Sequence, residues 1–400
     1  MARTVLSGGR VFDGTGSAIA DADVVISDGK IVDVGTGLDA DEQVDVSGMT
    51  VLPGFFDCHV HVMVSGIDLV RRLQRPFSYQ FYQAAQNLAA TLDCGITTVR
   101  DAGGADLGVQ RAVEDGLIDG PRMQIAISAL SQTGGHGDGW LPSGMRTFLM
   151  LPHPGRPPGL VDGPEEVRKR VREIIRSGAN VIKVHTSGGV LSPRDSPKHA
   201  QFRPDELDAL VAEATAAGLP VMAHAQATDG IKNALRAGVR SIEHGIYLDD
   251  EAIDLMLSSG AWLVPTLVAP HAVVNAASEG SQLPDGVLAK ARAVIAAHAS
   301  SFARAVAAGV KIAMGTDCGV GPHGSNLDEL PLMAAGGMTP AQVLTATTQS
   351  AAALMGIGEE TGTIMPGKRA DLIVLAGDPY ELGCLKANIR AVYAGGRKVR

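Results

Sequence analysis

The chain has 400 residues, of which 45% are hydrophobic, 19% charged and 4% aromatic, a composition that excludes a disordered or fibrous protein and can bury a large core. Lys and Arg total 34 against 43 Asp and Glu, a formal net charge of −9 without a basic stripe, which argues against a nucleic-acid binder. No uncharged run of about 18 apolar residues suggests a membrane span.

The opening MARTVLSGGRVFDGTG turns at glycine too soon for the apolar stretch of a signal peptide. Cys58, Cys94, Cys318 and Cys384 are scattered without CxxC spacing, as expected of reduced thiols in a cytoplasmic protein. Over residues 1–52, short segments alternate apolar and polar residues and break at Gly or Asp-Gly, which predicts strands. The tail repeats this texture in ADLIVLAGDP and IRAVYAGGRKV, so residues 364–400 are expected to join residues 1–52 in one small β-sandwich domain. Residues 53–363 differ. Strands are predicted at 52–61, 96–101, 123–128, 181–186, 220–224, 241–244, 261–265 and 310–315, each followed by an amphipathic segment. Helices are expected at 165–176, at 204–217 between Pro204 and Gly218, and as an apolar core helix at 287–306. Eight strand–helix units predict an α/β fold, a (β/α)₈ TIM barrel. The proline-rich stretch 139–163, with its Trp and two Met, reads as a long loop, either functional or a surface insertion.

The strand ends carry the chemistry. His59 and His61 in FDCHVHV are two apart, so a strand puts both imidazoles on one face. In a barrel that face opens at the C-terminal mouth, where imidazole is a common zinc ligand. Lys183 lies in NVIKVHTSGG on the face shared with Val181 and His185. An ammonium ion is costly in an apolar strand. Lys183 therefore snorkels, pairs with an acid, or is a neutral amine able to capture CO₂ as a bridging carbamate. His224 in PVMAHAQ is placed inward with Met222 and Gln226, His244 in SIEHG inward with Ile242, and Asp317 in MGTDCG inward with Ala313 and Gly315. Each alone has a bland reading; together they mark the ends of five strands.

The residues MTVLPGFFDCHVH, IEHG, MGTD and MPGKRADLIVLAGDP resemble the amidohydrolase superfamily of metal-dependent hydrolases. TVRDAGG, SQTGGHGD, HTSGGVLSPRDSPKHAQF and GPHGSN resemble the branch of imidazolonepropionase-like amidohydrolases and metal-dependent dipeptidases of Xaa-Pro or Xaa-Arg type. The resemblance implies two divalent metal ions, zinc in the usual case. His59, His61 and Asp317 would hold the more buried one and His224 and His244 the more exposed one. A CO₂-derived carbamate on Lys183 and a hydroxide would bridge both. It further implies a homo-oligomer and cleavage of a C–N amide bond in a dipeptide or N-acyl amino acid, with Asp317 as the catalytic proton carrier. The alternatives are a cyclic amide, lactone, or xenobiotic amide or carbamate substrate, and a non-catalytic scaffold. Lys183 argues against a single-metal deaminase.

Around this set, His136 in GGHGD is either a substrate contact or a loop brace, and His185 lines the pocket or braces the metal shell. His323 and Asn326 meet substrate or cap the segment that follows. Gln226 stands where many peptidase-like members carry tyrosine, and its amide can donate to substrate. His153, His199, His271 and His298 are assigned to loops and surface. Cys58 and Cys318 are expected to turn away from the ligands.

Overall fold

The computed structural model describes residues 3–147 and 150–400. Eight short strands run through the middle of the chain: β1 (Phe55–Val60), β2 (Ile96–Asp101), β3 (Arg122–Ile125), β4 (Ile182–His185), β5 (Val221–Ala225), β6 (Ser241–His244), β7 (Trp262–Val264) and β8 (Lys311–Ile312). β1, β2 and β3 form one parallel sheet; Ala129–Leu130 and β4 to β8 form a second, also parallel. Parallel neighbours need crossovers, supplied here by helices such as Tyr79–Asp93, Leu107–Glu114, Gly163–Arg176, Pro204–Ala216, Thr228–Ala237, Asp250–Ser259 and Val287–Ala308. Every residue of β1, β2, β4, β5 and β6 is buried, as expected where both sheet faces are covered.

The chain crosses from one sheet to the other at two places. After β3 it kinks at Ile127, with φ of +64°, and resumes as Ala129–Leu130, while the Asn180 N–H donates to the Ile125 carbonyl at 2.9 Å. After β8 it runs beside β1: Cys58 N–H donates to the Met314 carbonyl at 2.9 Å, Asp317 N–H to that of His59 at 2.7 Å, and His61 N–H to that of Cys318 at 2.7 Å.

Two further sheets hold the chain ends. One joins Thr4–Ser7, Asp23–Ser27, Lys30–Gly35 and Glu42–Asp45; the other joins Arg10–Val11, Ala20–Asp21 and Met49–Pro53 to Leu372–Ala376, Ile389–Ala394 and Arg397–Lys398. Leu6, Val24, Ile31, Val51, Leu372 and Val374 share one apolar cluster between them.

The strand predicted at 52–61 is two strands. Leu52 pairs with Ile373 in the terminal sheet, whereas Phe55 begins β1. The break falls at Gly54, where a Cβ would lie 2.2 Å from the Thr97 hydroxyl. Only glycine lets the backbone pass there. The strand predicted at 310–315 shortens to β8, because the following residues bond singly to β1 and Asp317 adopts φ of +61°. The predicted helices hold to within two residues at each end, with Pro204 in its first turn and Gly309 stopping the core helix at φ of +82°. Stretch 139–163 carries isolated bridges at Trp140–Arg146 and His153–Arg156; its residues 148 and 149, like residues 1 and 2, lie outside the described residues. No described helix is long and apolar enough to cross a membrane.

Candidate metal centre

The C-terminal ends of β1, β4, β5, β6 and the segment after β8 converge. The His59 and His61 rings are 5.5 Å apart, His59 and His244 5.1 Å, and His224 and His244 4.7 Å. Lys183, 2% exposed, brings Nζ to 3.4 Å from His59 Nε2. Asp317 Oδ1 lies 3.5 Å from His59 Nε2 and 3.3 Å from His61 Nε2, yet is buried without a well-formed hydrogen bond. Ligand atoms of His59, His244 and Asp317 all fall within 4.8 Å of one another. Burial pulls Lys183 down to about 8 and His59 to about 4, and pulls His224 and His244 well below the usual imidazole range. Burial opposes ionisation of Asp317, but the imidazoles beside it hold its carboxyl below the ordinary range. Imidazoles around an ionised carboxylate, three of them kept neutral by burial, are a donor set that fits a cation.

The ring orientations fit as well. His61 Nδ1 is 2.7 Å from the Gly103 carbonyl and His59 Nδ1 2.7 Å from Glu243 Oε2. Both oxygens can only accept, so each Nδ1 carries its proton and each Nε2 presents a lone pair to the centre. His244 Nδ1 bonds Thr266 Oγ1 at 2.7 Å. His244 and Thr266 have φ of +74° and +53°, and Asp317 is left-handed too. Such backbone is strained for non-glycine residues and persists where its surroundings enforce it.

Glu243 and Arg100 buttress this cluster from behind, a contribution that strand reading misses. The Arg100 guanidinium, 2% exposed, donates to the Cys58 carbonyl at 2.7 Å, Glu243 Oε1 at 2.9 Å and Ser241 Oγ at 3.2 Å. Burial opposes the charge on Glu243, but Arg100 and His59 hold its carboxyl down at about 2. The expectation that His244 points inward with Ile242 is corrected here. Ile242 packs in the main apolar core with Ile231 and Leu235, whereas Glu243 meets His59. His244 reaches the centre because its positive φ breaks the alternation. The available signal was Ser241 and Glu243, two polar residues two apart in an apolar strand.

His136 is brought to the centre. Its ring stacks on His224 at 4.3 Å, and its Nδ1 lies 2.7 Å from Ser192 Oγ and 3.3 Å from Asp195 Oδ2. His185 stands 5.0 Å from His136 and 5.3 Å from His224, ring to ring, with Nδ1 unpartnered. Gln226 is 6% exposed and its Oε1 has no partner. His323 is not brought together with them: Nε2 is 3.0 Å from the Val64 carbonyl and Nδ1 3.4 Å from Thr91 Oγ1. Asn326 is fully buried, donating to Asp57 Oδ2 at 2.8 Å and accepting from Gly324 N–H. Asp57 also accepts from the Thr316 hydroxyl and the His59 N–H, which ties the two ligand-bearing segments together from behind. Burial pushes Asp57 up to about 6. His298 departs from its surface assignment. It is 1% exposed, with Nε2 2.8 Å from the Pro265 carbonyl and 3.0 Å from that of His244, so it braces the strained strand ends. Cys58 and Cys318 lie in apolar clusters, where burial pushes their thiols up.

Residues 50–399 match the amidohydrolase family. The chain belongs to that family. It is 36% identical to ochratoxinase of Aspergillus niger over 399 residues, 94% of this chain and 82% of the relative. A crystal structure of a Xaa-Pro dipeptidase with methionine in its active site is 34% identical, with a TM-score of 0.90 and 100% of both chains covered. A prolidase solved with N-methylphosphonate-L-proline is 38% identical, with a TM-score of 0.91 and 100% of this chain and 99% of that one covered. Amidohydrolases are typically metal-dependent, which agrees with the donor set.

Proposed function

We propose that the protein hydrolyses the amide bond of a dipeptide or N-acyl amino acid at a centre of two divalent cations, zinc in the first instance. The observation that carries this is the clustering of His61 with the buried His59, His224, His244 and Lys183 about Asp317, whose Oδ1 has no well-formed hydrogen bond. His59, His61 and Asp317 would hold one ion and His224 and His244 the other. Lys183, pulled down to about 8 by burial, is reactive enough to add CO₂, forming a carbamate and releasing one proton. Cations held by these residues would supply a water that ionises near neutral pH and would polarise the scissile carbonyl.

The chain's own groups supply the rest. Glu243 and the Gly103 carbonyl fix the His59 and His61 tautomers. Asp317, ionised, accepts the water's proton and delivers it to the leaving nitrogen, which departs poorly as an anion. His136, held by Ser192 and Asp195 over His224, orients the substrate's carbonyl or carboxylate, and Gln226 offers an amide donor beside it. The dipeptidase, prolidase and ochratoxinase similarities support this class of substrate.

The reading includes a closed (β/α)₈ barrel over residues 53–363, supported by the hydrogen bonds at both crossing points, and a small β-sandwich domain from residues 1–52 and 364–400, supported by their shared apolar cluster. It includes a cytoplasmic homo-oligomer acting on a small molecule, with neither nucleic acid nor membrane as partner; the four free cysteines support the compartment and the net charge of −9 speaks against nucleic acid. Turnover of a dipeptide and N-acyl amino acid panel by zinc-loaded protein, abolished by chelation, is the expected result. Lactone or aryl carbamate turnover with none on the panel would replace this reading.

A further inference from the structure

A cavity of about 560 Å³ lies beside the metal centre without belonging to it. Thr316 and Cys318 line it, whereas Asp317 between them turns to the ligand cluster. None of His59, Lys183, His224, His244, His136 and Gln226 is on its wall. Arg71, Arg72 and Arg75 do line it, from helix Leu69–Leu73 and the turn that follows.

Their partners are few. Arg72 Nε and Nη1 and Gln80 Nε2, on the same wall, are shut off from water with no hydrogen-bond partner. Buried donors of this kind are rarely left unpaired in a folded protein. Arg75 donates to Gln83 at 3.3 Å and covers the Tyr79 ring at 4.5 Å. Of the carboxylates that line the cavity, Asp68 caps the helix through the Arg71 N–H, while Glu279 and Asp328 are exposed; among the described residues none is within ion-pair distance of these arginines. At longer range the three arginines are matched by three carboxylates, so the cavity is close to neutral overall, which disfavours a multiply charged anion. Met63, Met150 and Val268 add apolar wall.

We infer that this cavity is a second binding site, for a small monocarboxylate with an apolar body. The carboxylate faces the guanidinium wall of Arg71, Arg72 and Arg75, and the body packs on Met63, Met150 and Val268. Guanidinium donors recognise carboxylates well, and desolvation in a partly closed cavity strengthens the contact. The inference is independent of amide hydrolysis and holds whatever the metal centre turns over.

Calorimetric titration of the metal-loaded, full-length protein tests it, with 3-phenylpropanoate, 3-phenylpropanamide and inorganic phosphate as probes. The carboxylate is expected to bind at least about tenfold more tightly than the amide or phosphate, as for a hydrogen bond to a charged group. Arg72→Gln should weaken it about tenfold, with metal content and thermal midpoint unchanged. A carboxylate seated on the metals would not sense Arg72, so this difference isolates the cavity. Arg75→Gln serves if Arg72→Gln lowers the midpoint, and should weaken carboxylate binding in the same direction. Equal binding of acid and amide, phosphate binding as tight as the acid, or variants that bind like the parent would overturn the inference.

Discussion

Glu243→Gln is the most informative single change at the centre. In the parent, one carboxylate oxygen takes the His59 Nδ1 proton at 2.7 Å and the other takes Arg100 at 2.9 Å. Glutamine keeps the shape but offers one acceptor for two donors. If its oxygen stays with Arg100, its NH₂ faces His59 and drives the proton from Nδ1 to Nε2, where it blocks the lone pair. If its oxygen turns to His59, Arg100 loses its counter-charge in a site where it is 2% exposed. Breaking a buried ion pair from one side costs about 3–5 kcal/mol, and losing an orienting partner lowers metal affinity about 10- to 100-fold. Unfolding in urea with chelator present measures the first cost free of metal linkage; competition with a chromogenic chelator measures the second. The double variant Arg100→Met with Glu243→Leu separates them. It should recover stability to within about 1–2 kcal/mol, because no charge is left stranded, yet keep the metal defect. A Glu243→Gln protein with parental stability and affinity, or a double variant with parental affinity, would refute the reasoning.

Lys183→Ala should lose metal and activity and regain part of both when a short carboxylic acid is added with the metal; a variant that keeps full activity removes the bridging role. Asp317→Asn should retain metal while amide turnover falls about 10²-fold or more, with a smaller loss on an activated ester; equal losses on both would leave Asp317 as a ligand only. Blocking the substrate carboxylate as an amide should lower kcat/KM about 10- to 100-fold, roughly 1.5–3 kcal/mol, and His136→Ala should cost a similar factor on the free acid but little on the blocked one. Glu329 is fully buried, accepts the Leu267 and Val268 N–H groups at 2.7 Å, and is pushed by burial from 4.5 up to about 8. Between those two values the native state keeps a proton that the unfolded chain has released, so stability falls as pH rises through that window. Glu329→Gln should flatten this slope in denaturant unfolding of metal-free protein at pH 5, 6.5 and 8; an unchanged slope would contradict it.

Local pattern made much of this legible in the chain. Imidazoles and carboxylate at strand ends, and a lysine inside an apolar strand, picked out the six residues that the structure gathers. Proline at a helix start and glycine at a helix end marked the helices. What local pattern could not carry was partnership across the fold. Glu243 follows from Arg100, 143 residues away in sequence, and from a positive φ at His244 that no alternation rule anticipates. Gly54 divides a continuous apolar run because Thr97 crowds it from the neighbouring strand. Asn326 and His323 sit in a loop that reads as substrate-facing, yet Asp57, Val64 and Thr91 occupy their polar atoms. His298 looks like a surface residue because its two carbonyl partners come from the strand ends of other units.

Titrating zinc into metal-free protein while following hydrolysis of an N-acyl amino acid tests the central claim most directly. The account predicts a rate that rises with added metal and levels off at two equivalents per chain. A rate that levels off at one equivalent, or that does not depend on metal, would contradict it.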